Sequence, residues 1–140
     1  MSRLIRILTV LVALTAAAPA AVVAVNPLMT EPNLPTERVR DMLLGRITTW
    51  QDGSPVIIIL IDDPAADAAL EIIAGRDRSR LIRGWKRLVY AGTGAMPQLY
   101  HGVTEGLAAV SRHPGSLAIV PQAVPGDRWR MITLDRDEKP

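Results

Sequence analysis

A chain of 140 residues, 49% hydrophobic and 21% charged, has room for one modest domain and enough apolar side chains to pack its core. It has no cysteine, which excludes disulfides, thiolate catalysis and thiolate-bound zinc or iron–sulfur centres. With three Trp, two Tyr and no Phe the core must be aliphatic, and a net charge that falls from +2 to zero without Arg3 and Arg6 takes away the main sequence argument for a nucleic-acid partner.

The N-terminus carries Arg3 and Arg6, an apolar stretch from Ile7 to Ala18 and the small-residue pattern Ala18-Pro19-Ala20. This is the layout of a secretory signal peptide over residues 1–20. The competing reading, a retained membrane anchor from Ile7 to Val25, is weakened by Pro19 and the small residues. Loss of Arg3 and Arg6 on cleavage would leave 14 basic and 14 acidic residues, a neutral domain over 21–134 with a polar tail at 135–140. The expected location is therefore periplasmic or secreted, with membrane contact only through an uncleaved signal segment.

Along this domain, Ala21 to Val25 is wholly apolar, as in a strand buried on both faces of a parallel sheet. Residues 28–34 read as loop. Pro35 and Glu37 suit the first turn of a helix whose inner face holds Val39, Met42 and Leu43 and which Gly45 stops. Gln51-Asp52-Gly53 signals a turn. Val56 to Ile61 is the strongest strand pattern. Asp63 as N-cap and Pro64 in the first turn open a helix with Ala66, Leu70 and Ile73 inside, ended by Gly75. A second amphipathic helix begins near Ser79, with Leu81, Ile82, Trp85, Leu88 and Val89 on one face and Gly84 as a weak point. Residues 91–98 read as loop. A helix follows from Gly102 to Arg112, then strands at Leu117–Pro121 and Trp129–Leu134. Strands alternating with helices indicate an α/β fold, mainly parallel, with helices flanking the sheet.

Few residues suggest chemistry. At Asp62-Asp63-Pro64 a strand runs into a helix, and the N–H groups of such a junction favour anions. Here two carboxylates occupy it and Pro64 lacks a donor, so the expected role is a helix cap, with a cation or amine site at Asp62 as the sharper alternative. Gly92-Thr93-Gly94 offers close backbone approach and a hydroxyl, but no Lys-Ser/Thr follows as in a phosphate loop. The basic run Arg76, Arg78, Arg80, Arg83, Lys86 and Arg87 reads as a solvated helix face, against the alternatives of an acidic partner or an anionic membrane surface. His101 and His113 lack metal-ligand spacing, no serine sits in a nucleophile elbow, and Asp67 and Glu71 read as an exposed acidic patch. Neither a catalytic constellation nor a cofactor or metal site is expected.

Val25-Asn26-Pro27, Leu44-Gly45-Arg46 with Trp50, the helix bearing Trp85, and Pro114-Gly115-Ser116 with Ile119 form an ordered series from about Val23 to Leu134. The series resembles the phosphate ABC transporter substrate-binding proteins, in particular short, single-lobe relatives. The resemblance implies a single lobe of a type 2 periplasmic binding protein. Where that family carries a Ser-Gly-Thr-type turn, this chain has Asp62-Asp63-Pro64-Ala65-Ala66, which argues against phosphate. The expected function is a non-enzymatic, exported solute-binding-like domain, an accessory or sensor component of envelope transport or signalling. A phosphate or oxyanion binder of an ABC transporter is the alternative. Expected partners are a small solute or anion and an envelope protein. The ligand-binding candidates are Asn26, Asp62, Gly92, Thr93 and Gly94, expected at the C-terminal edge of the sheet.

Overall fold

The computed structural model describes residues 21–31 and 34–134. The signal-peptide and tail readings, at 1–20 and 135–140, lie outside the described residues. The elements are β1 (Val22–Val25), α1 (Thr36–Leu43), β2 (Ile57–Asp62), α2 (Pro64–Ala74), α3 (Arg78–Tyr90), β3 (Gln98–His101), α4 (Val103–Arg112), β4 (Ser116–Val120) and β5 (Arg130–Thr133). They form one five-stranded sheet in the order β3-β2-β4-β1-β5 with helices on both faces.

The sheet is mixed. β2 runs parallel to β3 and β4, whereas β1 is antiparallel to both β4 and β5. The apolar run at β1 reflects burial on both faces, as its sequence requires, but that burial comes from helices above and below and is indifferent to strand direction. On one face Val23, Val25, Ile58, Leu60, Leu117 and Ile119 pack with α1, α2 and α3. On the other, Val22, Ala24, Ile59, Ile61, Ala118 and Val120 pack with α4. Each large aliphatic side chain among these, taken from water to full burial, contributes about 1.5–3 kcal/mol.

One element has no signature in the sequence. Gln98–His101, the end of the loop plus a gap before the next helix, is an edge strand of four residues beside β2. Its burial alternates only weakly, and its partner supplies the order that its own pattern lacks. The other boundaries move by a residue or two: α3 begins at Arg78, and β4 covers Ser116–Val120.

Glycines in the two inner helical positions behave differently. A Cβ at Gly106 of α4 would lie 2.5 Å from Ile61 Cγ1, so the glycine is what lets α4 settle on β2. A Cβ at Gly84 of α3 would meet only Arg76 Nη1, at 3.7 Å.

Candidate functional site

At the C-terminal end of β2, Asp63 is the N-cap of α2: its carboxylate accepts from Ala66 N–H at 3.0 Å, and Pro64 takes the first helical position. The cap follows directly from the residue order Asp-Pro, which supplies an acceptor and removes a donor at the helix start. Asp62 completes the strand and half exposes its side chain. Arg78, the first residue of α3, reaches back to it with Nη2 2.8 Å from Oδ1, while His101 at the end of β3 brings Nδ1 to 3.3 Å from Oδ2. The parallel register of Asp62 with His101 sets up this second contact.

Arg78 is shared. Its Nε lies 3.0 Å from Asp67 Oδ1, without the alignment of a hydrogen bond, so that buried oxygen is held by charge alone. Burial pushes the Asp67 carboxyl above its ordinary 3.8, and Asp62 and Asp63 push it the same way against the pull of Arg78. A concavity of about 440 Å³ beside this cluster is lined by Pro64, Asp67, Ala68, Glu71, Asp77, Arg78 and Ser79. Its charge is predominantly negative, and its one guanidinium is already engaged by two carboxylates. Among the described residues there is no group of three or more side chains set to hold a metal ion.

The five sequence candidates do not converge. Asn26 follows β1, whose antiparallel course brings it to Ser116, at the end of the sheet opposite Asp62: Val25 pairs with Leu117, and Ile57 with Ser116. There Asn26 is buried, its amide donating to the carbonyls of Val110 at 2.8 Å and Ser111 at 3.3 Å while its oxygen accepts from Leu28 N–H at 3.0 Å. This ties β1 to the end of α4. Gly92 and Thr93 close α3, their N–H groups donating to Val89 and Leu88 carbonyls, and Gly94 lies against the Trp85 ring. The loop then enters β3 at Gln98, the end of that strand opposite His101. Asp62 alone of the five stands at the C-terminal edge of the parallel strands.

The residues that carry the family resemblance hold the scaffold. Trp50 Nε1–H donates to Gly115 O at 2.9 Å, and a Cβ at Gly115 would fall 2.6 Å from Pro55 O. Trp85 Nε1–H donates to Leu43 O at 2.8 Å. Ser116 is buried and donates to Val110 O. These bonds join the loop after α1 to the α4–β4 turn, α3 to the end of α1, and the start of β4 to α4.

Three participants escape sequence reasoning. In the sequence Arg78 is one of a basic run, and His101 is a loop residue. Glu31, in a segment that reads as loop, is buried, pairs with Arg38 through both oxygens at 3.1 and 3.2 Å, and accepts from Gln51 N–H at 2.6 Å. No local pattern marks these roles, because each depends on a partner from a distant element.

No family model matches the chain, and comparison with curated proteins gives no match. Among solved structures it is similar to a Clostridium perfringens protein assigned as a phosphate ABC transporter substrate-binding protein, crystallised with bound phosphate. The TM-score is 0.57 at 15% identity, over 79% of this chain and 42% of that one. The chain thus spans less than half the length of that protein. The likeness establishes the fold: an α/β domain of the periplasmic binding-protein kind, the size of a single lobe.

Proposed function

We propose that this chain is a non-enzymatic, exported solute-binding-like domain that serves as an accessory or sensor component of envelope transport or signalling, and that the mouth at the end of β2 rejects phosphate. The observation that carries the reading is the self-satisfied β2–α2 junction. Ala66 N–H is spent on Asp63, Pro64 has no N–H, and Arg78 is neutralised by Asp62 and Asp67. A multiply charged anion there would have to displace two carboxylates from the guanidinium at the mouth and meet a third. The fold likeness supports the binding-protein character, and the N-terminal signal pattern supports export. Among the described residues no helix is long and apolar enough to cross a membrane. A single lobe offers half a cleft, so a protein partner or second copy would have to cover the mouth of any ligand held there.

The alternative, an oxyanion-binding component of an ABC transporter, draws on the structural neighbour that holds phosphate. It would use Thr93 and the glycines beside it, with a nearby arginine. Thermal melting of the full chain with and without orthophosphate separates the two. A ligand at one hundred times its Kd stabilises by about 2.7 kcal/mol. No shift in melting temperature is expected. A saturable shift that survives Arg80→Gln/Arg83→Gln and changes with Asp62→Asn would place phosphate at the mouth and overturn the reading.

A further inference from the structure

Arg76, Arg80, Arg83 and Arg87 line one concavity of about 410 Å³, completed by Gly75 and Gly84. Steps of four, three and four residues bring side chains to one stripe along α3 and the turn before it. Among the described residues none of the four guanidinium groups lies within ion-pairing distance of a carboxylate, whereas Arg38, Arg46 and Arg78 each do. Like charges at these spacings work against a helix. A glycine inside the helix works against it as well. Packing does not demand that glycine, since a Cβ at Gly84 would meet nothing closer than Arg76 Nη1 at 3.7 Å. Its effect is to leave the floor of the groove open between Arg80 and Arg87.

We propose that this groove is a binding site for a linear oligophosphate. The guanidinium fork matches phosphoryl oxygens in a bidentate manner. Arg80 and Arg87 are separated by about 10 Å along the helix axis, too far for one orthophosphate to bridge and suited to a chain of linked phosphoryl groups. The lining is arginine and glycine alone, with no apolar side chain to anchor a folded protein partner. The site shares no lining residue with the β2–α2 mouth and stands independently of the function proposed for it.

Isothermal titration of the full chain with inorganic triphosphate, orthophosphate and phosphatidylglycerol vesicles tests the proposal. Triphosphate is expected to bind at least about tenfold more tightly than orthophosphate, the worth of one additional charge-assisted hydrogen bond. Arg80→Gln/Arg83→Gln should weaken triphosphate about a hundredfold, a factor of about ten for each guanidinium removed. Gly84→Leu, which fills the floor without changing charge and favours the helix, should weaken it too. Arg46→Gln, the loss of one charge at a pair with Asp41, should leave it unchanged. Far-UV circular dichroism confirms that each variant keeps its helices. Absence of triphosphate binding overturns the proposal, as does equal weakening by Arg46→Gln. So does arginine-dependent capture by the vesicles alone, which would make the stripe a membrane contact.

Discussion

The β2–α2 mouth and the α3 stripe lie close in the chain and handle charge in opposite ways. At the mouth the charges of the junction are answered internally: Asp63 caps a helix, and Asp62 and Asp67 share Arg78. Along the stripe four guanidinium groups face one groove with no carboxylate among them. A region whose charges are mutually satisfied contributes to the fold and resists an added ion. A region whose charges are left open contributes little to the fold and has its binding capacity in reserve. Arg78 shows how small the difference in position is. Two residues before Arg80, it turns to the mouth and is consumed there.

This contrast can be broken most forcefully at Arg78. Arg78→Ala leaves Asp62 and Asp67 facing each other without a counter-charge, and the loss should be about 1–2 kcal/mol, two partly exposed pairs with one buried oxygen between them. Urea denaturation would show it as a lower midpoint. Asp63→Ala removes the helix cap and should cost about 1 kcal/mol by the same measurement, with Asp63→Asn recovering most of it.

The third prediction uses pH. Because the Asp67 carboxyl is raised in the folded protein above its ordinary 3.8, the folded state holds that proton more tightly than the unfolded one. Asp67 therefore detracts from stability as pH rises through the window just above 3.8, and the penalty is relieved below it. Asp67→Asn should flatten this part of the melting temperature–pH profile. An unchanged profile would mean that Arg78 fully compensates the burial. The smallest effect belongs to the stripe: Arg80→Gln/Arg83→Gln should change stability by no more than about 0.5 kcal/mol, and in the stabilising direction if like-charge repulsion dominates. A sharper version converts one region into the other. Asp62→Asn/Asp67→Asn frees Arg78, and orthophosphate should then raise the melting temperature where it does nothing for the parent chain.

Much of the scaffold is legible in the residue order. The cap at Asp63, the run through Ile61 and the inner faces of α1, α2 and α4 are written locally, because capping and periodic burial involve neighbours a few residues apart. The candidate site is far less legible. Asn26 carries a residue type that suits ligand contact, yet its amide is fully occupied by Val110, Ser111 and Leu28. Gly92 and Thr93 end a helix. Nothing near Arg78 in the chain tells it apart from Arg76 or Arg80.

By itself the sequence determined the aliphatic core, the alternation of strands and helices, and the helix cap and paired carboxylates at the end of β2. Tertiary structure alone decided that β1 runs antiparallel and carries Asn26 to the edge opposite Asp62, that β3 exists as an edge strand, and that of the five arginines from Arg76 to Arg87 one is spent while four remain open. The physical reason is range. Propensity, capping and hydrophobic period act within a turn or two of the chain, whereas strand direction and charge pairing are settled by groups that meet only when distant segments pack.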